Sequence, residues 1–372
     1  MTRNDQKFSE IDRAYMQMAL DLSRRGLGRV HPNPSVGCVI VKDNHIIARG
    51  WTGNNGRPHA ETVALSQIEN AQGATVYVTL EPCAHHGKTP PCAEALVAAK
   101  VSRVIVATGD PDPRVSGDGI KILVEAGIKV DFGLLKNEAD RVNQGFFQRF
   151  KEKRPLVTVK IASSLDGKIA EKSGEKSWVT GPVSRKRGHL YRASNDAIMV
   201  GIDTVLIDDP TLDCRIAGLE QYSPIRVVID THLRIDENNR LCQSANDIPV
   251  WVMTASFDKT KYAALEGKGV RIFCLEKEKS GYVNLDQVMK TLVGEGITRV
   301  LSEGGGKLNA SLIKASLVDR LIWFKSADSI GENCVDALYD IAISDLHKYL
   351  NLSVMDEGET VPDHWQEFEV IR

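Results

Sequence analysis

The segment EPCAHHGKTPPC, residues 81–92, contains two cysteines, two histidines, three prolines and a glutamate. Its thiols, Cys83 and Cys92, could form a disulfide, bind a metal or pack as small apolar side chains. The chain has seven scattered cysteines in 372 residues, and this odd number disfavours the disulfide framework of a secreted protein. In a reducing compartment, a close pair of cysteines is more often metal-binding or catalytic than bridged.

Composition and charge restrict the class of protein. The chain is 42% hydrophobic and 26% charged, with a formal net charge of -2, which is typical of a soluble globular protein. This charge gives no general reason to expect nucleic acid or an acidic membrane as a partner. There is no apolar run of about 18 residues, and MTRNDQKFSE (1–10) lacks the apolar region of a secretory signal. We therefore expect a cytoplasmic protein.

The length of the chain favours two domains. We place the first at residues 1–150, where Ser9 and Asp12 predict a capping box before an amphipathic helix. VGCVIVKDNHIIARG (36–50) then predicts a hairpin, and helices alternate with strands from residue 59. This pattern predicts a layered α/β sheet whose strands are parallel after the opening hairpin.

The basic segment FFQRFKEKRP (146–155) separates two apolar patterns, so we place the second domain at residues 151–372. Its alternating pattern also predicts an α/β fold. Strands are expected at 155–162, 196–201, 225–230, 249–254, 270–275, 299–305 and 320–325, and helices at 182–194, 284–294 and 307–316.

A histidine and a glutamate upstream of the opening segment favour a metal site. GRPHAE (56–61) places His59 and Glu61 at the start of a predicted helix. One imidazole and two thiolates suit zinc and leave a fourth position for the water that a catalytic site needs. Zinc lowers the pKa of such a water, and Glu61, which is not a ligand, could transfer its proton to a leaving amine.

The zinc deaminase signature, H-x-E followed by P-C-x-x-C, is met only in part. His59-Ala60-Glu61 and Pro82-Cys83 match it, whereas eight residues separate Cys83 from Cys92. An isolated HxE is common, and two cysteines at this spacing are by themselves more often buried thiols than ligands. All four residues in this order favour a catalytic zinc site. His85 and His86 are competing ligands, or they belong to a loop that shapes the pocket.

Several longer stretches resemble the bacterial bifunctional riboflavin-biosynthesis deaminase-reductases, the RibD family. The similar stretches run in order over about residues 10–331. They are EPCAHHGKTPPC, HPNPSVGCVIVKD (31–43), GRPHAE, GDPDPRVSGDGI (109–120), VKIASSLDGKIA (159–170), SWVTG (177–181), DAIMVGIDTVLIDDPTLDCR (196–215) and SEGGGKLNASLI (302–313).

The resemblance implies a cytidine-deaminase-like α/β/α sandwich followed by a dihydrofolate-reductase-like α/β domain. It further implies zinc-dependent deamination of 2,5-diamino-6-(5-phosphoribosylamino)pyrimidin-4(3H)-one. Reduction of the ribosyl group of 5-amino-6-(5-phosphoribosylamino)uracil to ribityl by NADPH would follow. The expected partners are one Zn²⁺ per chain, NADPH, a phosphorylated pyrimidine and further copies of the chain in a homo-oligomer, with no nucleic acid and no membrane.

The resemblance also implies binding residues, some of which have an ordinary structural alternative. Asn33 would contact the pyrimidine, but in the sequence PNP it is also a turn residue. Gly305 and Gly306 would bind the cofactor phosphate, or they would form a tight strand-to-helix turn. The other implied cofactor contacts are Ala162, Trp178, Thr204, Asp208 and Thr231, and the other implied substrate contacts are Lys176, Arg192, Leu212, Arg215 and Glu303.

Two departures from the family pattern affect particular contacts. The family often has a histidine where this chain has WTGNNG (51–56). Its GES-x-W motif is GEKSW (174–178) here, so the substrate-facing serine is either replaced by Lys176 or displaced to Ser177.

Other functions remain open at this point. One alternative is a zinc nucleobase or nucleoside deaminase fused to a nucleotide-binding regulatory domain. Another is deamination of a nucleic-acid base, which the near-neutral charge and the lack of a basic, aromatic-rich stripe disfavour. A structural zinc module would need a fourth protein ligand.

Overall fold

The computed structural model describes residues 7–86, 90–112, 116–171, 179–331 and 334–372. It divides the chain into two units, Met1–Lys153 and Arg154–Arg372. None of the helices in these described ranges combines the length and apolar character needed to cross a bilayer.

The first unit contains a five-stranded sheet in the order β2-β1-β3-β4-β5. The first strand pairs antiparallel with both its neighbours, and β3, β4 and β5 are parallel, as predicted. The strands are β1 (Gly37–Lys42), β2 (His45–Trp51), β3 (Thr75–Val78), β4 (Arg103–Val106) and β5 (Lys129–Phe132). The helices are α1 (Glu10–Ser23), α2 (Ala60–Leu65), α3 (Cys92–Ala98), α4 (Asp118–Glu125), α5 (Lys136–Val142) and α6 (Gln144–Lys151).

The predicted capping box begins α1. The Ser9 hydroxyl accepts a hydrogen bond from the Asp12 amide at 3.1 Å, and the Asp12 carboxylate accepts one from the Ser9 amide at 3.1 Å. The helix packs so closely on β1 that a Cβ at Gly37 would lie 1.8 Å from the Ala19 carbonyl oxygen. Glycine is therefore required where α1 crosses the sheet.

The parallel strands fix where a site can form in the first unit. In open α/β sheets, ligands bind outside the carboxyl ends of parallel strands. Residues 79–86 follow β3 at this edge, and residues 107–112 follow β4. The helices α2 and α3 pack on the apolar cluster beneath, so their N-termini are held in place.

The second unit contains a nine-stranded sheet in the order β11-β10-β9-β8-β12-β6-β13-β16-β15, and a two-stranded sheet, β14-β7. The strands from β11 to β13 are parallel, and β16 and β15 complete the sheet antiparallel. The strands are β6 (Leu156–Ser163), β7 (Lys168–Glu171), β8 (Ala197–Gly201), β9 (Ile225–Ile229), β10 (Val250–Thr254), β11 (Arg271–Cys274), β12 (Arg299–Ser302), β13 (Arg320–Lys325), β14 (Cys334–Asp336), β15 (Leu352–Thr360) and β16 (Asp363–Val370).

The seven strands expected in this half are all present. The helices are α7 (Pro182–Ala193), α8 (Ile202–Asp208), α9 (Arg240–Gln243), α10 (Lys259–Glu266), α11 (Leu285–Gly294) and α12 (Gly306–Lys314). Of these, α7, α11 and α12 were predicted, whereas the shorter α8, α9 and α10 were not.

The C-terminal hairpin, β15 and β16, is the largest element that sequence reasoning missed. It pairs with β13 and also holds the beginning of α7. The buried Asp363 carboxylate accepts hydrogen bonds from the Gly181 amide at 2.7 Å and from the Ser184 hydroxyl. The Arg187 guanidinium lies over the Trp365 ring, 3.4 Å from its centre. The hairpin therefore anchors the helix that carries Arg192.

Candidate functional site

The starts of two helices and the segment after one strand bring the predicted zinc ligands together. His59 is the N-cap of α2, Cys92 is the first residue of α3, and Cys83 lies in the segment after β3. The His59 Nδ1 atom is 3.3 Å from Cys92 Sγ and 3.5 Å from Cys83 Sγ. All three ligand atoms lie within 4.8 Å of one another.

This donor set fits zinc. Zn–S and Zn–N distances of about 2.3 and 2.0 Å at a tetrahedral angle place the nitrogen and a sulfur about 3.6 Å apart. The distances between the His59 nitrogen and the two sulfurs are close to this value. Imidazole and thiolate are also the donors that zinc prefers, and three protein ligands leave one position open.

The two thiols titrate as a pair. The hydrogen bond between the thiols lowers the pKa of Cys83 to about 4 and raises the pKa of Cys92. The Cys92 amide also donates to Cys83 Sγ at 3.3 Å, which further stabilises a thiolate there. Hydrogen bonding to Cys83 raises the pKa of His59. A divalent cation would stabilise both thiolates.

Glu61 lies directly beside the three donors. Its side chain is 4% exposed, at the first turn of α2, and it interacts with His59 and with both cysteines. Burial raises the pKa of Glu61 to about 7, although the neighbouring His59 charge acts in the opposite direction. A carboxyl group with this pKa can both accept and release a proton near neutral pH.

Asn33 and His86, two other residues considered in the first unit, have local partners. Asn33 lies in a turn, where its amide donates to the Val30 carbonyl at 2.9 Å and its side chain donates to the Asn55 carbonyl at 3.4 Å. His85 and His86 are exposed, and His86 lies 3.1 Å from the Glu94 carboxylate. Within the described residues, neither histidine joins the cluster of His59 and the two cysteines. The contact of Asn33 with a pyrimidine stays a prediction.

In the second unit, two predicted substrate residues form one ion pair. The Arg192 guanidinium donates to both Glu303 oxygens, at 2.8 and 3.0 Å. Lys160 Nζ lies 3.8 Å from the same carboxylate. Burial would raise the pKa of Glu303, but the two cations outweigh it and lower the pKa to about 2. Burial lowers the pKa of Lys160, against the effect of Glu303.

The segment around Asp213 is held by α7. Arg192 Nη1 donates to the Asp213 carbonyl at 2.9 Å, and His189 Nδ1 lies 3.1 Å from the same oxygen. Leu212 is buried with a positive φ of 54°, so its side chain serves the core of this segment. The Arg215 side chain is 59% exposed and 3.5 Å from the Asp213 carboxylate. Arg215 is therefore accessible to a ligand.

The glycine-rich turn is tied to α8. The Gly305 amide donates to the Thr204 hydroxyl at 3.2 Å. Gly305 is the N-cap of α12 and Gly306 is its first residue, so both lie at a helix N-terminus, which favours negative charge. Asp208 is the exposed last residue of α8. Two predicted cofactor residues, Gly305 and Gly306, thus lie at one strand-to-helix turn, and a third, Thr204, is hydrogen-bonded to it.

The remaining predicted contacts are separate. The buried Thr231 hydroxyl accepts a hydrogen bond from the Val283 amide at 3.1 Å, so it has a structural partner. Ala162 lies in β6, against an apolar cluster that includes Phe324. Trp178 and Lys176 lie outside the described residues.

Sequence reasoning missed Lys160 and His189 as members of the second site. Lys160 stands between Val159 and Ile161 in β6, and a lysine inside an apolar strand was a usable signal. His189 is one turn before Arg192 on α7, and without the fold nothing connects it to Asp213.

Two family models match consecutive parts of the chain. Residues 9–108 match the cytidine and deoxycytidylate deaminase zinc-binding region, and residues 155–335 match the RibD C-terminal domain. The riboflavin biosynthesis protein RibD of Aquifex aeolicus is 38% identical over 92% of this chain and 94% of its own length. RibD of Escherichia coli is 40% identical over 87% of this chain and 89% of its own.

The chain belongs to the RibD family. It is a bifunctional deaminase and reductase of riboflavin biosynthesis, with a zinc-binding deaminase domain and an NADPH-dependent reductase domain. Solved RibD structures are also similar. The form 1 structure of Acinetobacter baumannii RibD has a TM-score of 0.86 at 36% identity, over 98% of this chain and 99% of its own.

A second RibD structure carries both activities in its name. The diaminohydroxyphosphoribosylaminopyrimidine deaminase/5-amino-6-(5-phosphoribosylamino)uracil reductase of Thermotoga maritima has a TM-score of 0.83 at 31% identity. The similarity covers 97% of this chain and 99% of the relative.

Proposed function

We propose that this RibD chain catalyses two successive steps on one pyrimidine. The first unit hydrolyses the 2-amino group of 2,5-diamino-6-(5-phosphoribosylamino)pyrimidin-4(3H)-one and releases ammonia. The second unit reduces the ribosyl group of the resulting 5-amino-6-(5-phosphoribosylamino)uracil to ribityl with NADPH. The name of the Thermotoga maritima relative supports these two substrates.

The convergence of His59, Cys83 and Cys92 beside the buried Glu61 is the observation that carries the deaminase assignment. These three residues would hold a zinc ion, which would lower the pKa of a bound water and so supply the nucleophile at neutral pH. Glu61 accepts a proton from the attacking water and donates it to the departing amine. One water is consumed: its oxygen becomes the carbonyl oxygen, one of its protons leaves with the amine as ammonia, and the other ends on the adjacent ring nitrogen.

The second activity depends on Arg192, Glu303 and the glycine-rich turn. Arg192 and Glu303 hold each other in fixed positions, and a buried ion pair of this kind can orient a polar substrate without moving. The N-terminus of α12 at Gly306 would bind a cofactor phosphate, and the Thr204 hydroxyl fixes the turn by accepting a hydrogen bond from the Gly305 amide. NADPH supplies the hydride, so this unit contributes position and exclusion of water.

Partners and location follow from the same proposal. The substrate is a small phosphorylated pyrimidine, and Arg215 offers an accessible guanidinium for its phosphate. We expect the enzyme in the cytoplasm, as a homo-oligomer, with neither nucleic acid nor membrane as a partner.

A two-product assay tests the proposal. The zinc-loaded full chain is supplied with the diaminopyrimidinone phosphate and NADPH, and ammonia and NADPH are measured together. We expect one ammonia released and one NADPH oxidised per substrate, with ammonia released first. Ammonia release without NADPH oxidation would contradict the proposed reduction. NADPH oxidation without ammonia release would contradict the proposal that deamination comes first.

A further inference from the structure

The Glu81–Cys83 segment lies between the N-termini of two helices. At the start of α3, the Ala93 amide donates to the Cys83 carbonyl at 3.2 Å, and the Cys92 amide donates to Cys83 Sγ at 3.3 Å. On the other side, the segment contacts the start of α4, which carries none of the proposed zinc ligands. This second contact takes no part in the proposed deamination.

Glu81 makes the contact with α4. Its side chain is 5% exposed, and its Oε1 atom accepts a hydrogen bond from the Gly117 amide at 2.9 Å and lies 3.5 Å from the Ile120 amide. Gly117 is the N-cap of α4 and has no side chain to serve as a cap. Glu81 thus supplies the capping acceptor from outside the helix, where a negative charge is favourable.

The backbone next to Glu81 is equally constrained. A Cβ at Gly119 would lie 1.8 Å from the Pro82 carbonyl oxygen, much closer than real atoms approach. The Glu81 amide donates to the Thr108 carbonyl at 2.9 Å, at the carboxyl end of β4. The two residues before Cys83 are therefore fixed through side chain, carbonyl and amide at once.

We propose that Glu81 is a positioning residue of the zinc site. Its carboxylate ties the Pro82–Cys83 segment to the N-terminus of α4, and this tie sets the position of the Cys83 thiolate relative to His59 and Cys92. The inference rests on the proposed zinc ligands. The nitrogen-to-sulfur distances match a tetrahedral zinc site to within a few tenths of an ångström, so a small shift of this segment weakens the site.

Two substitutions at Glu81 test the proposal in the full chain. Glu81→Ala removes the acceptor, and Glu81→Gln keeps an amide oxygen at the same position. Glu125→Ala, at the exposed end of the same helix, is the matched control. Zinc affinity is measured by competition with a chromophoric chelator. The absorption bands of the Co²⁺-substituted protein report the geometry of the thiolate ligands without reference to activity.

For Glu81→Ala, we expect zinc affinity to fall by about 10–100-fold, which is typical when a residue that orients a ligand is lost. The Co²⁺–thiolate bands should shift or weaken, and kcat of deamination should fall while KM changes by less than about two-fold. Glu81→Gln should recover most of the affinity, and Glu125→Ala should equal the unsubstituted protein. Reduction of the deaminated substrate should be unchanged in all three, because the second unit lacks this contact.

Zinc affinity and Co²⁺ bands equal to the unsubstituted protein in Glu81→Ala would overturn the proposal. If that variant does not fold, Gly119→Ala tests the same tie from the helix side, and its unchanged zinc affinity would be equally decisive. Cys83→Ala distinguishes a wrong set of zinc ligands from a wrong role for Glu81. If Cys83→Ala keeps full zinc affinity, the proposed ligand set fails. If Cys83→Ala loses zinc and Glu81→Ala does not, only the role of Glu81 fails.

Discussion

The two sites of this RibD chain balance their charges in different ways. The first gathers one imidazole and two thiols, whose negative charge a metal ion would neutralise. The second pairs Glu303 with Arg192 and Lys160, so the negative charge of the carboxylate is compensated within the protein. A site of the first kind depends on an exchangeable ion for its final geometry, whereas one of the second kind is organised by folding alone. Because both sites lie on one polypeptide, deamination and reduction can be compared in the same sample.

Metal removal should separate the two activities most sharply. Dialysis against a strong chelator should abolish deamination, because the ion-dependent site loses the group that activates water. Reduction of the deaminated substrate should continue at its full rate, since the Glu303 carboxylate in the second site is compensated by protein cations and needs no metal. Ammonia release and NADPH oxidation, measured before chelation and after zinc is restored, check this. A parallel loss of reduction would show that the contrast is wrong.

Glu61→Gln should remove proton transfer while sparing the metal. We expect deamination to fall by about 10²–10⁴-fold, the usual contribution of a general acid–base group. Zinc content, measured by elemental analysis, should stay at the unsubstituted level because Glu61 is not one of the proposed ligands. A variant that deaminates at the normal rate would exclude this role for Glu61.

Breaking the ion pair in the second unit should affect stability as well as reduction. Arg192→Met removes the closer of the two cations that flank Glu303, and the loss of one partner of a buried pair costs about 3–5 kcal/mol. Urea unfolding of the second unit, identified by its stabilisation with NADPH, measures this loss. Arg192→Met combined with Glu303→Leu should lose less than the sum of the single substitutions. Strict additivity would show that the pair is not coupled.

Acid should weaken the second unit through the same carboxylate. The pKa of Glu303 is lowered to about 2 in the folded chain, so its stabilisation is complete above its ordinary pKa, near 4.5. It is lost as the pH falls from there towards 2, by at most about 1.4 kcal/mol per pH unit. Glu303→Gln should therefore show a shallower fall in unfolding free energy between pH 5 and 3 (compared as slopes). Identical slopes would contradict the lowered pKa.

The smallest effect is expected at the glycine-rich turn. Thr204→Val keeps the shape of the side chain but removes the acceptor for the Gly305 amide, at a cost of about 0.5–1.5 kcal/mol. The KM for NADPH should rise by roughly 2–10-fold, with deamination unchanged. Thr260→Val, on the exposed first turn of α10, should leave both activities unaltered. An unchanged KM in Thr204→Val would show that the turn does not depend on this bond.

The two sites also differ in how much of each could be predicted from the sequence. His59, Glu61, Cys83 and Cys92 follow one another in the order of the zinc deaminase signature. Their convergence could therefore be predicted before the fold was known. The strands of the five-stranded sheet and seven strands of the nine-stranded sheet followed from apolar runs, and α1 from its capping box. These features depend on local sequence alone.

The missed features depend on distant parts of the chain. Lys160 and Glu303 meet only because β6 and β12 pair as parallel neighbours. Glu81 precedes a motif cysteine, yet its contact with Gly117 depends on how α4 returns to the sheet. The hairpin of β15 and β16 is mostly polar and only half-buried, so it lacks the apolar run that marks a strand. Its partner strand, rather than its own composition, determines its structure.

The C-terminal hairpin bears on where the chain can be cut. The family model of the RibD C-terminal domain matches only as far as residue 335, before β15 and β16. A chain shortened to that point would leave β13, with the buried Ile322 and Phe324, as an open edge of the large sheet. Open apolar edges are templates for strand addition between molecules. The end of the family-model match is therefore a poor choice of end point for expressing the reductase unit alone, since it divides a folding unit.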